Sequence, residues 1–102
     1  MAASSPYSVV VAPFALAEMQ AALLWWARNR QGAPDLLLRE IDAALSLVEH
    51  APYAGRRVTS KLFRGVRRLL LRRTSYHLDF QIVESAREVR VVHFRHARRR
   101  PR

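Results

Sequence analysis

The apolar positions keep one period in the first half of the chain and another in the second. Tyr7 to Ala12 is a short β-branched run closed by Pro13, which predicts a strand. From Phe14 to Arg30, Leu16, Met19, Leu23 and Trp26 recur at steps of three and four, a spacing that places them on one helix face. Arg28 and Arg30 suit the negative carboxyl end of that helix. Gln31-Gly32-Ala33-Pro34 interrupts the pattern. Leu37, Ile41, Leu45 and Val48 then predict a second helix from Pro34 through His50. So short a join predicts an antiparallel helical hairpin.

Pro52 and Gly55 stop the second helix, and residues 51–65 read as a loop ending at Gly65. Three strands follow. Val66 to Arg73 is apolar with arginines at both ends. Ser75 to Val83 alternates, with Tyr76, Leu78, Phe80 and Ile82 on one side and His77, Asp79 and Gln81 on the other. Glu84-Ser85-Ala86-Arg87 reads as a turn, and Glu88 to Arg95 as the last strand. There is no internal repeat. The expected architecture is α+β in the order β-α-α-β-β-β: a small antiparallel-type sheet with the hairpin on one face and the other face left polar. At 102 residues the chain supports one core and one domain over 1–102, with 1–6 and 98–102 expected to fray.

Charge sharpens this picture. Residues 1–50 hold three arginines against five carboxylates, whereas residues 51–102 hold fifteen basic residues against three carboxylates. One half is a near-neutral scaffold and the other presents a positive field suited to a polyanion or an acidic protein. The absence of cysteine removes disulfides, thiol catalysis and cysteine-ligated zinc, and fits a reducing compartment. The first fourteen residues lack the form of a secretory signal. The longest apolar run, Ala21 to Ala27, is far short of the ~20 residues that span a bilayer. The expectation is a cytoplasmic protein with no membrane partner.

If the apolar side of the 76–82 strand packs on the helices, His77, Asp79 and Gln81 face away from them. Some of Arg67, Arg68, Arg72, Arg73, Arg90 and His93 must join them, although Leu69-Leu70-Leu71 and Val91-Val92 break the alternation and leave their facing open. Such a basic surface can bind phosphates through charge and bidentate hydrogen bonds. It can also support attack by a ribose 2′-hydroxyl, with histidine as acid or base and arginine stabilising the transition state. The ordinary alternative makes each histidine a plain strand residue. His93 and His96 lack the helical His-Glu-x-x-His pattern, so no metal and no cofactor are expected. Trp25 and Trp26 lie about 100° apart around a helix, which assigns Trp26 to the core and Trp25 to a partner contact.

With these residues in place, the chain resembles the RelE/ParE family of type II toxin–antitoxin toxins, and within it the ParE branch. The resemblance runs from Tyr7 to Pro101. It rests on Tyr7, Val9 and Pro13 in the first strand, an alanine-rich helix with a tryptophan-containing end, and a second helix closed by Pro52 and Gly55. Gly65-Val66-Arg67-Arg68, Tyr76-His77-Leu78 with Phe80, and the terminal His96-x-x-Arg99-x-Pro101 complete it. The resemblance implies a growth-inhibiting bacterial toxin held by a cognate antitoxin with an acidic flexible tail. ParE-like members are associated with poisoning DNA gyrase, whereas RelE-like members cut messenger RNA on the ribosome, often with a tyrosine near the carboxyl terminus.

Residues 95–102 hold no tyrosine, which favours the gyrase branch. On that reading Arg67, Arg68, His96, Arg98, Arg99 and Arg100 meet the target, while Trp25, Arg72 and Arg90 meet the antitoxin. The alternative is a ribosome-dependent mRNA endoribonuclease with Arg67, Arg73, His77 and His93 as participants. A third is a non-toxic family member acting only in an antitoxin complex.

Overall fold

The computed structural model describes residues 6–98. Along them run β1 (Ser8–Val11), α1 (Pro13–Asn29), α2 (Leu36–His50), a 3-10 turn at Pro52–Ala54, β2 (Arg56–Arg57), β3 (Arg67–Leu71), β4 (Tyr76–Val83), a second 3-10 turn at Glu84–Ala86 and β5 (Glu88–His96). The expected order is present, with β2 added where the sequence reads as loop. Those two arginines carry no apolar alternation and become a strand only by pairing with Arg67 and Arg68.

The five strands form one sheet in the order β1-β5-β4-β3-β2. Three pairings are antiparallel, as expected, but β1 lies parallel to β5, so the sheet is mixed. The β4–β5 ladder shifts register between Asp79 and Phe80. Asp79 faces His93 while Phe80 faces Val91, leaving Val92 as the extra residue of a bulge. That bulge explains how Val91 and Val92 are both buried in a strand that should alternate.

Pro13 opens α1, where its fixed φ suits the first turn. The helix ends where the Arg30 amide donates to the Trp26 carbonyl, and the Trp26 indole donates to the Ala33 carbonyl at 2.9 Å, tying the join between the helices. The hairpin is antiparallel: Glu18, early in α1, reaches the end of β5, whereas the last turn of α2 accepts the Tyr7 amide through Glu49.

The core gathers Ala15, Met19, Ala22 and Trp26 from α1 with Leu37, Ile41, Ala44 and Val48 from α2. These pack on Leu71, Tyr76, Leu78, Phe80, Val89, Val91 and Phe94 of the sheet. The α2 face is close to the expected one. On α1 the buried stripe is rotated: Leu16 is 44% exposed and Leu23 only half-buried, while two alanines face inward. Alanine lets the helix approach β5 closely, and a residue one position away points about 100° elsewhere. Burial of each large side chain, such as Leu37, Leu78, Phe80 and Phe94, contributes roughly 1.5–3 kcal/mol.

Two helix carboxylates fasten the hairpin to strand ends. Beyond Val91, β5 has no β1 neighbour. There Glu18 accepts from the Phe94 amide at 2.9 Å and from Arg95 Nε at 3.1 Å. Glu40 accepts from the Arg73 amide at 3.1 Å and from the Thr74 amide and hydroxyl at 2.9 and 2.6 Å, fixing the β3–β4 turn.

Candidate functional site

Register assigns each charged residue to a side of the sheet. Arg68 pairs with Asp79, Leu70 with His77, His77 with Arg95, Asp79 with His93 and Gln81 with Arg90, all on the face away from the helices. Arg67 pairs with Phe80 and so lies on the helix side, at the sheet edge.

The face away from the helices is not the open polar surface that alternation predicts. The 58–65 loop crosses part of it. Gln81 Nε2 donates to the Arg64 carbonyl at 2.8 Å, and the Phe63 ring stands edge-on to His93 at 5.7 Å. Phe14 meets the same imidazole at 5.7 Å. His93 Nδ1 lies 3.3 Å from Glu18 Oε1 and 3.2 Å from an Arg95 nitrogen. Arg68 grips the nearly buried Asp79 carboxylate with two hydrogen bonds of 2.6 and 2.9 Å. That bond raises the Arg68 pKa further. Burial lowers the His77 pKa below its usual value, and the neighbouring Arg68 charge adds to the effect. The exposed remainder of this face carries His77 beside the Asp79-bound Arg68, with Arg56, Arg90 and Arg95 around it.

On the helix side, the Arg67 guanidinium donates to the Gly55 carbonyl at 2.7 Å and lies 4.9 Å over the Tyr53 ring. The hydroxyls of Tyr53 and Tyr7 donate to the same oxygen of Glu84 at 2.5 and 2.7 Å, and Arg87 lies 4.2 Å over Tyr7. The Tyr53 hydrogen bond, followed by that from Tyr7, pulls the Glu84 pKa down, and both phenols are raised in return. Arg57 stands opposite Arg67. Beside them is an open depression of about 400 Å³ lined by Tyr53, Arg57, Val58, Gly65, Val66, Arg67 and Ile82.

At the far end of the sheet, Arg72 and Arg73 sit in the turn that Glu40 holds. The Ala97 amide donates to the Ser75 carbonyl at 2.6 Å, bringing the end of β5 alongside. His96 stands edge-on to Tyr76 at 5.2 Å, and its Nδ1 accepts from the Arg98 amide at 3.2 Å.

The proposed ribonuclease quartet is therefore dispersed. Arg67 is on the helix side, Arg73 in the β3–β4 turn, and His77 and His93 on the other face with different cross-strand partners. Among the expected target contacts, Arg67 and Arg68 lie on opposite faces. His96 and Arg98 share the strand end, and Arg99 and Arg100 fall outside the described residues. Of the expected antitoxin contacts, Trp25 is 46% exposed on α1 under the Arg30 guanidinium at 5.2 Å. Arg72 is at the turn, and Arg90 is paired with Glu88 at 2.7 Å. Sequence reasoning missed Glu18, Glu40, Tyr53, Arg57 and Glu84. For Glu40 a signal existed, because it flanks the apolar stripe of Leu37, Ile41 and Ala44 and must find a polar partner near the sheet.

A helical hairpin on one side of a small mixed sheet with basic margins is the architecture of RelE/ParE-type toxins. The fold is similar to that in the chromosomal ParDE toxin–antitoxin system from P. aeruginosa, with a TM-score of 0.68 at 19% identity over 91% of this chain and 98% of that one. It is likewise similar to a RelBE toxin–antitoxin complex from Mycobacterium tuberculosis (0.65; 20% identity; 89% and 91% covered). The intact E. coli RelBE complex matches at 0.62 and 17% identity, with 91% and 99% covered. No curated protein matches the sequence significantly. The chain belongs to the family described as ParE toxin of type II toxin-antitoxin system, parDE, which matches residues 9–101.

Proposed function

We propose that this type II toxin arrests growth by binding and poisoning DNA gyrase in the cytoplasm, and that a cognate antitoxin with an acidic flexible tail holds it inactive. The observation that carries the reading is the state of the candidate catalytic groups. Arg67 is turned to the helix side of the sheet while His77 and His93 lie on the other face, burial lowers the His77 pKa, and His93 is held between Phe14 and Phe63. Histidine catalysis needs an accessible acid or base near a stabilising cation, so this arrangement favours a binding protein over a nuclease. From Ala51 to Leu78 the chain carries eight basic residues and no acidic one, a surface that an acidic tail would neutralise.

Purified toxin added to gyrase and plasmid should block supercoiling or accumulate cleaved DNA. Unaffected gyrase, with transcripts cut at codon boundaries after brief induction, would overturn the proposal. The second reading, a ribosome-dependent mRNA endoribonuclease, draws on His77 and His93 sharing one face of β4 and β5. It predicts the opposite pair of results. Unimpaired growth on induction without antitoxin would indicate the non-toxic member instead.

A further inference from the structure

The two residues of β2 each oppose an arginine of β3, Arg56 against Arg68 on one face and Arg57 against Arg67 on the other. Directly opposed strand residues have Cβ atoms roughly 5 Å apart, and like charges so placed repel. The first pair has a counter-ion, because Arg68 is bound by Asp79. The second has none among the described residues. Arg67 is held only by the Gly55 and Tyr53 carbonyls and the Tyr53 ring, and Arg57 is exposed without a hydrogen bond or ion pair. The carboxylate nearest in the network, Glu84, is engaged by two phenols and makes no ion pair with either arginine.

This uncompensated pair borders the 400 Å³ depression, whose accessible apolar surface comes from Val58 and Ile82. The size and lining select among anions. The space suits one or two side chains rather than a duplex. Because the Arg67 guanidinium lies over the Tyr53 ring, that aromatic face is not open for a nucleobase to stack. What remains is a seat for a carboxylate next to an aliphatic group. β2 is the last strand of the sheet, so its outer edge is open to an extended segment.

We infer that the Arg57–Arg67 depression seats an extended acidic segment of a partner protein, with a carboxylate between the two guanidinium groups and an aliphatic side chain on Val58 and Ile82. In an extended chain, side chains on one face are two positions apart, so the recognised pattern is acidic-x-aliphatic. The inference rests on the reading that an acidic-tailed antitoxin holds this toxin, and it locates one anchor of that tail.

The test titrates the full-length chain with the peptide acetyl-Glu-Ser-Leu-Ser-Glu-amide, following backbone amide shifts by NMR. The expected result is saturable shifts clustered at residues 56–58 and 65–67. Arg57→Ala should weaken binding about tenfold, the loss of one charge-assisted hydrogen bond. Arg57→Lys should recover part of it, and Arg39→Ala on α2 should change nothing. Arg57 is exposed, so circular dichroism should show every variant folded. Shifts elsewhere, or equal affinity in Arg57→Ala, would overturn the inference. So would displacement of the peptide from these residues by inorganic phosphate or a single-stranded oligonucleotide at equal charge concentration. A second arm copurifies the toxin with the product of the neighbouring gene. A wild-type toxin that captures no partner defeats the antitoxin reading, while the peptide titration still judges the depression. Capture that is unchanged by Arg57→Glu defeats the depression alone.

Discussion

Glu40→Ala tests how the hairpin is fastened to the sheet. The carboxylate receives three hydrogen bonds from the β3–β4 turn, and Thr74, which supplies two of them, is 3% exposed. Removing the acceptor leaves a buried amide and a buried hydroxyl without partners. Each unsatisfied buried group costs about 1–3 kcal/mol. The Arg73 amide lies in an exposed residue that water can reach and contributes little. The expected destabilisation is about 2–6 kcal/mol, against the 5–15 kcal/mol that a typical domain possesses. At this chain length each kcal/mol lowers the melting temperature by about 5 °C, so a fall of roughly 10–30 °C should appear in a circular dichroism melt. Glu40→Gln keeps one carbonyl acceptor and should fall between. A Glu40→Ala melt within about 2 °C of wild type would refute the role assigned to this carboxylate, because neither buried group could then depend on it.

Gly55→Ala should destabilise by about 1–3 kcal/mol, because the new Cβ would lie 2.6 Å from Phe80 Cζ; urea unfolding measures it. Ile41→Ala should cost about 2–5 kcal/mol as a fully buried truncation, whereas Leu23→Ala, at a half-buried site, should cost clearly less in the same assay. Acid should weaken the fold. The His77 pKa lies below 6.5, so the unfolded chain takes up a proton there that the folded chain resists, and stability falls as pH drops below that value. Glu84, depressed below 4.5, adds a loss of the same sign at lower pH. Urea midpoints at about pH 7.5 and 5.5 should differ in wild type and differ less in His77→Gln. A chain ending at Arg98 should keep its melting temperature and lose growth inhibition if the terminal arginines meet the target; full toxicity would discharge them.

Legibility in the sequence followed how strongly each residue's neighbours dictate its environment. The β4 alternation was readable because Tyr76, Leu78 and Phe80 pack on a single apolar face. On α1 Met19 and Trp26 were readable as core, but a search for large apolar residues also finds Leu16 and passes over Ala15 and Ala22, whose smallness lets the helix lie close to β5. β2 was invisible because its two arginines depend on partners ten and more residues away. The surface beyond β4 was misjudged for a similar reason. Its apparent openness depends on where the 58–65 loop returns, and Phe63 has no periodic neighbours to reveal that it lies on His93. The carboxylate clamps joined residues more than thirty positions apart, beyond the reach of any local pattern.

The parallel pairing of β1 with β5 sets when the protein can exist at all. Ser8 waits for Glu88, and Ala12 for Val91, so the first strand synthesised has no ladder until the last one is complete. Contacts this distant in sequence slow folding, because loop closure must precede any gain. β5 also supplies the strand that β1, β4 and α1 all flank. A ribosome-bound chain still lacking β5 therefore holds a helical hairpin without the strand that joins β1 and α1 to the rest of the sheet. The toxin fold closes only once β5 is made, and a message cut short upstream of β5 yields a fragment without the strand that joins β1 to β4.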